Sequence, residues 1–159
     1  MAQITQDRLK ELFHYNEVTG IFTRKTHGKR DITHVDSNGY ISGFIDGKKR
    51  RVHRMAWIYS HGECALGMEV DHINRDKTDN RISNLRVATK SQNQTNSPKQ
   101  LSNKSGRKGV CWHKASGKWI SQISYAGKVI YLGLYKTIDE AYVVYCKENT
   151  KLNGEYACN

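Results

Sequence analysis

Between Glu69 and Asn96 the chain gathers the residue types that could do chemistry. Asp71-His72 follows the apolar Val70, a polar loop runs from Asn74 to Arg81, and Asn84-Leu85-Arg86-Val87 leads into Thr89 to Asn96. The side-chain oxygens of Asp71 and Asn93 are hard donors that suit a divalent cation such as magnesium. An imidazole beside Asp71 is free to take a proton from water near neutral pH. The chemistry in outline is metal-assisted hydrolysis.

Such a site needs elements that bring distant residues together. Val70 to Ile73 and Leu85 to Val87 read as two short strands joined by a polar loop. Thr89 with Gln92 forms the spacing of a capping box, which opens a helix carrying Asn93. A strand, strand, helix unit would bring Asp71 and Asn93 together. Asn74, Asp76 and Asp79 have the look of a calcium loop, but its sixth position, which requires glycine, is Asp79, so the segment reads as solvated loop.

Upstream, Thr5 caps a short helix with Leu9, Leu12 and Phe13 on one face, and Thr19-Gly20 opens a strand from Ile21 to Lys25. Tyr40 to Ile45 and Lys48 to Val52 flank Asp46-Gly47, a dipeptide suited to positive φ at both turn positions, and so predict a hairpin. His53 to Ser60 predicts a helix ending near Gly62. The run Lys48-Lys49-Arg50-Arg51 has two readings, a DNA contact or a charged guard on a hairpin edge. His14, His27, His34 and His61 have no partners at ligand spacing and read as surface or packing residues.

From Ser91 to Lys108 the composition turns to Ser, Asn, Gln, Thr and Lys with the sole proline, Pro98, which marks a helix end running into a linker. Beyond it the pattern predicts strands Gly109 to His113, Lys118 to Tyr125 and Lys128 to Tyr135. A helix from Thr137 to about Leu152 follows, with Thr137 and Glu140 as its capping box. Alternation puts Val110, Trp112, Trp119, Ile123, Ile130, Leu132 and Leu134 on the face that receives the helix, with both tryptophans in the core. Cys111, His113, Lys118, Ile120, Gln122, Ser124, Val129 and Tyr131 fall on the free face.

The whole chain has 159 residues, with 26 Lys plus Arg against 15 Asp plus Glu, a formal charge of +11. That length allows one domain or two small ones. The charge points to a polyanionic partner, with nucleic acid ahead of a membrane surface because no basic amphipathic helix stands out. The longest apolar run, Ala141 to Cys146, is far below the roughly 18 residues of a membrane span. The first residues carry no apolar stretch before a charge, so no secretory signal is expected and a cytoplasmic setting follows. Cys64, Cys111, Cys146 and Cys158 have no close paired spacing, which argues against a disulfide scaffold or zinc ribbon.

The run Val70-Asp71-His72-Ile73-Asn74 through Asp79-Asn80-Arg81, then Asn84-Leu85-Arg86 and Gln92-Asn93, resembles the HNH endonucleases, in particular the phage and intron-associated homing type. The stretch from Gly39-Tyr40 to Trp57-Ile58, with Val52-His53-Arg54, is similar to the leader that precedes this site in phage members. The resemblance implies a ββα-metal nuclease, a phosphodiester hydrolase acting on double-stranded DNA. It implies that Asp71 and Asn93 hold one divalent metal, that His72 is the general base and that Asn84 fixes the loop conformation. The last residue of the motif is often His. Asn93 in its place moves the expected metal from zinc toward magnesium or manganese. Arg75, Lys77, Arg81, Arg86 and Lys90 surround the site as candidates for gripping phosphates.

A second resemblance covers the C-terminal lobe. Gly109-Val110-Cys111-Trp112-His113, Gly117-Lys118-Trp119, Tyr131-Leu132-Gly133, Thr137, Glu140-Ala141 and Asn153-Gly154-Glu155 resemble the Apetala/ethylene-response-factor DNA-binding domain. That family reads the major groove with the free face of its sheet, which implies DNA contacts from Lys108, His113, Lys118, Gln122, Ser124 and Tyr131. Several positions that carry Arg in plant members are Cys111, His113, Gln122 and Ser124, so the sequence preference does not transfer.

The expected fold is α+β: an HNH nuclease domain with a β-rich leader over 1–96, a linker over 97–108, and a three-stranded antiparallel sheet packed on one helix over 109–159. The expected activity is site-selective DNA cleavage, one strand nicked per active site. The expected protein is a monomer in the host cytoplasm, without a small-molecule cofactor or membrane partner. The rival reading is a DNA-binding regulator or decayed nuclease that does not cut.

Overall fold

The computed structural model describes residues 4–26, 28–63, 67–96 and 103–157. Expectations resting on His27, Cys64, Pro98 and Cys158 lie outside those residues. The chain divides between Thr89 and Lys90 into two compact units.

The first unit runs α1 (Gln6–Leu12), β1 (Phe13–Asn16), β2 (Ile21–Arg24), β3 (Ser42–Ile45), β4 (Lys48–Arg51), α2 (Val52–His61), β5 (Met68–His72) and β6 (Leu85–Thr89). Its strands pair as three separate antiparallel hairpins, β1 with β2, β3 with β4 and β5 with β6. Thr5 caps α1, its hydroxyl accepting the Arg8 N–H at 3.2 Å. Phe13 departs from the expected helix: it ends α1 and begins β1. The reason is a competition of periods, since Leu9 and Phe13 keep helical spacing while Phe13 and Tyr15 alternate inward and pair with Arg24 and Phe22.

The Asp46-Gly47 turn has φ of 48° and 73°, both positive as its sequence requires, and it sets Arg51 opposite Ser42. The core gathers α1, β1, β2, α2 and the start of the third hairpin: Leu9, Phe13 and Phe22 are fully buried, Met55, Ile45, Val52 and Leu85 nearly so. Tyr15 stacks on Phe22 at 4.5 Å between ring centroids, and Tyr59 meets both edge-on.

The second unit contains α3 (Lys90–Asn96), β7 (Val110–His113), β8 (Lys118–Tyr125), β9 (Lys128–Tyr135) and α4 (Ile138–Asn153). The expected three-stranded sheet has the order β7-β8-β9 and packs on α4, whose capping box joins Thr137 and Glu140. α3, expected at the end of the first domain, is grouped here; it packs on the 3-10 turn Gly154–Tyr156, and Lys108 donates to the Thr95 carbonyl at 2.5 Å.

One face assignment and one burial assignment need correction. A register shift between Ser121 and Gln122 leaves Leu132 as the extra residue: Gln122 pairs with Tyr131 but Ser121 pairs with Gly133. Leu134 is thereby carried opposite Ile120 onto the open face, where it is 37% exposed. Trp112 keeps its expected side, opposite Trp119, with ring centroids 5.0 Å apart, yet is 49% exposed. It is therefore no core residue. Among the described residues of this unit, Val110, Ser121, Ile123, Ala141, Tyr145 and Asn149 are buried in the sheet and α4, and Asn96 on α3.

Candidate functional site

Asp71 and His72 close β5, and the β5–β6 register decides their neighbours: Val70 faces Val87, Asp71 faces Arg86 and His72 faces Leu85. Both side chains are buried, at 8% and 4% exposure. The His72 Nε2 lies 3.2 Å from the Asn80 Oδ1. The Asn80 amide is itself oriented, because its Nδ2–H donates to the Thr78 carbonyl at 3.0 Å. The oxygen therefore faces the imidazole Nε2, an arrangement that suits the tautomer with its proton on Nε2. Burial pushes the His72 imidazole below its ordinary value of 6.5, against the opposing pulls of Asn80, Asp71, Asp76 and Asp79. A ring held neutral at pH 7 is what a general base requires.

Asn84 sits at the far end of the loop, in a 3-10 turn from Ile82 to Asn84. Its Oδ1 accepts the Asn74 N–H at 3.0 Å, and its Nδ2 donates to the Asn74 Oδ1 at 2.9 Å and to the Asp79 carbonyl at 2.8 Å. It thus ties the loop's first turn to its last. Within the loop Asp76 accepts from the N–H and hydroxyl of Thr78, and Arg75 occupies the left-handed region at φ 67°. Asp79, clasped by Arg81 through Nε at 2.8 Å and Nη2 at 2.6 Å, has its carboxyl lowered to about 2, first by that contact.

The expected phosphate-gripping residues fall into different settings. Arg75 is exposed. Arg81 is held on Asp79. Arg86 reaches the Asp71 Oδ2 through both Nε and Nη2 at 3.2 Å, with the pair's side chains 11% and 9% exposed, so it is first of all the buried partner of Asp71. Lys77 donates to the Asn38 carbonyl at 3.0 Å. Lys90 and Asn93 lie on α3 in the second unit. There Lys118, Gln122, Ser124 and Tyr131 are exposed on the open face; His113 is half-buried with Nδ1 2.7 Å from the Ser116 hydroxyl, and Lys108 is partly buried.

Three residues of the site had no assigned role from the sequence. Asn80, 1% exposed, orients His72. Its position inside Asp79-Asn80-Arg81 was the only available signal. His53, on α2, is 3% exposed with its ring centroid 4.8 Å from that of His72 and its Nδ1 without a hydrogen-bond partner. Tyr40 completes the group, 5.1 Å from His53 and 6.0 Å from His72, with the Arg51 guanidinium 4.1 Å over its ring.

The leader buttresses the loop from below. The Tyr15 hydroxyl donates to the Asn80 carbonyl at 2.7 Å, and Gly20, at φ 75°, approaches so closely that an added Cβ would stand 2.5 Å from the Asn80 carbonyl carbon and 2.6 Å from the Arg81 nitrogen. Both the backbone angle and the space exclude a side chain. Gly20→Ala is expected to lower unfolding free energy in urea by about 2–4 kcal/mol, combining left-handed strain with overpacking. A loss under about 0.5 kcal/mol, the size of an indifferent surface change, would contradict the buttress.

Burial, reinforced by His72, Arg54 and Arg51, pushes His53 down to about 3. The fold therefore favours the neutral ring. This contribution to stability is complete above pH 6.5 and is lost progressively as pH falls toward about 3. His72 acts in the same direction. Below pH 6.5 the unfolding free energy of the native chain is expected to decline by up to about 1.4 kcal/mol per pH unit for each such ring. The profile of His53→Leu should be the flatter of the two; parallel profiles would remove His53 from the account.

As a seat for a divalent cation, Asp71 presents a buried carboxylate beside an imidazole, a hard-donor setting suited to magnesium or manganese. Among the described residues no group of three or more His, Cys, Asp or Glu forms a ready metal cage. No helix among them is long and apolar enough to cross a membrane.

Comparison with known proteins assigns the segment that carries these residues to a family. The family model described as HNH endonuclease matches residues 50–95, which include β5, the loop, β6 and Asn93. The chain belongs to the HNH endonuclease family and carries its endonuclease domain. It is 32% identical over 81 residues to Protein 3.8 of Escherichia phage T7, covering 51% of this chain and 67% of that protein. It is also similar to a solved structure described as DNA binding and cleavage by the HNH homing endonuclease I-HmuI, at 30% identity and a TM-score of 0.43. That match covers 53% of this chain and 50% of the other, so the chain spans about half the length of that enzyme.

Proposed function

We propose that the chain is a site-selective DNA endonuclease of the homing type, hydrolysing one phosphodiester bond at each active site with one divalent metal. The observation that carries this reading is the neutral, oriented imidazole of His72 beside Asp71, inside the segment matched by the HNH endonuclease family. His72 is the general base: Nδ1 takes a proton from a water aligned with phosphorus while Nε2–H stays on Asn80. Asp71 and Asn93 are the residues to hold the cation, and Asn84 keeps the loop in shape. Magnesium or manganese bound there would neutralise the phosphate and the departing 3′-oxygen. The products are 3′-hydroxyl and 5′-phosphate ends. DNA as substrate is supported by the basic charge of the chain and by the HNH endonuclease family that its residues 50–95 match.

In this reading Arg75 and Lys90 grip phosphates, Arg81 and Arg86 contribute mainly through the carboxylates they hold, and the open face of the second unit, with His113, Lys118, Gln122, Ser124 and Tyr131, sets position on the duplex, Lys108 lying at its margin. A monomer with one site nicks one strand. The test is supercoiled plasmid with magnesium, with and without EDTA. Nicked circles that appear only with the metal and are sealed by ligase are the expected result. Direct conversion to linear DNA at low enzyme overturns the single-strand reading, and tight binding without any cutting favours the regulator.

A further inference from the structure

Outside the site just described, a cavity of about 430 Å³ opens between β4 and α2, with Lys49, Arg50, Arg51 and Arg54 around Met55 and Ile58. Its charges are unevenly compensated. Asp36, with its side chain only 5% exposed, lies 3.9 Å from the Lys49 Nζ and 3.6 Å from the Arg51 Nε. Arg50 and Arg54 have no carboxylate within 4.0 Å among the described residues, and the Arg50 Nε is buried without a hydrogen-bond partner. Asp46, the acid at the hairpin tip, is held by Arg8 through two contacts of 2.9 and 3.2 Å.

A charge run that merely guards a hairpin edge points its heads into water. Arg50 does the opposite, turning a guanidinium N–H inward where leaving it unmade is costly. An anion with several acceptor oxygens in the cavity would compensate the charge of Arg50 and Arg54, and guanidinium groups match phosphate geometry best. Arg51 connects the cavity to the catalytic group: it lines the one and lies over Tyr40, whose ring is 6.0 Å from that of His72.

We infer that this cavity is a second phosphate site, which takes a backbone phosphate of the DNA other than the one that is cut, with Arg50 and Arg54 as its principal ligands. The inference rests on the reading of the chain as a DNA-processing protein. It concerns binding and register, and leaves the chemical step to His72.

The test measures binding of a fluorescein-labelled 30-base-pair duplex by anisotropy across a salt series. It compares the native chain with Arg50→Ala/Arg54→Ala and with a charge-matched control, Lys147→Ala/Lys151→Ala on α4. Loss of one phosphate contact lowers the slope of log K against log salt by about 0.9. The cavity variant is expected to show that change and a roughly tenfold weaker affinity at moderate salt, with the control close to native. Nicking at saturating DNA should stay near native while KM rises. Arg54→Ala, an exposed position, gives a partial effect in the same direction and covers the case in which the double variant fails to fold.

Native slope and affinity in both cavity variants overturn the site, and so does an equal weakening in the control, which would reveal bulk charge only. If the native chain binds DNA with the expected slope change but never cuts, the nuclease reading falls and the phosphate site stands.

Discussion

His72→Ala is expected to cut nicking of supercoiled DNA by about 10²- to 10⁴-fold, the usual worth of a positioned general base, while leaving duplex affinity within about twofold. In the proposed mechanism the Asn80 oxygen favours the tautomer with its proton on Nε2, and burial favours the neutral ring. Asn80→Ala therefore provides the informative companion. It removes neither the base nor the acid, yet it frees the ring, and a loss in kcat of about 10-fold or more at unchanged KM is expected. The acid limb of kcat/KM for the native chain should lie below pH 6.5, the ordinary histidine value, because the folded ring protonates less readily. Cutting by His72→Ala at the native rate would remove the imidazole from the mechanism, whatever the fate of the rest of the proposal.

The second large effect concerns Asp71, whose two roles can be separated. Its carboxylate is the partner of Arg86 across the β5–β6 pair, and both side chains are nearly out of water. Asp71→Ala removes the carboxylate partner of a buried guanidinium, and breaking such a pair from one side costs about 3–5 kcal/mol. Urea unfolding should report a loss of that order, together with loss of cutting. In Asp71→Ala/Arg86→Met the orphaned charge is gone, so most of the stability should return, within about 1–2 kcal/mol of native. Cutting should not. Activity that recovers along with stability would mean that Asp71 only supports the fold, and the proposed seat for the cation would have to be sought elsewhere.

These effects bear on how much was legible beforehand. The Asp46-Gly47 hairpin, the Thr137–Glu140 capping box and the three C-terminal strands were readable because each is decided within a few residues, by turn geometry, a reciprocal cap or side-chain alternation. β1 was not, since Phe13 satisfies a helical period and a strand period at once, and pairing with β2 settles the matter. The side of Leu134 was misassigned for a related reason: alternation assumes an unbroken ladder, and one extra residue at Leu132 reverses it.

Sequence alone determined the chemical vocabulary of this protein: an acid and an imidazole in adjacent positions, amides at family spacing, an excess of cations, and the local elements that carry them. Tertiary structure decided how that vocabulary is used. It set the Asn80 oxygen against the Nε2 of His72, paired Arg86 with Asp71 away from water, and brought the rings of His53 and Tyr40 to that of His72. Cross-strand register, the packing of α2 on β5 and the seat of Gly20 under Asn80 join residues far apart in the chain. No local propensity encodes such contacts; they follow only once a shared core has fixed where each element lies.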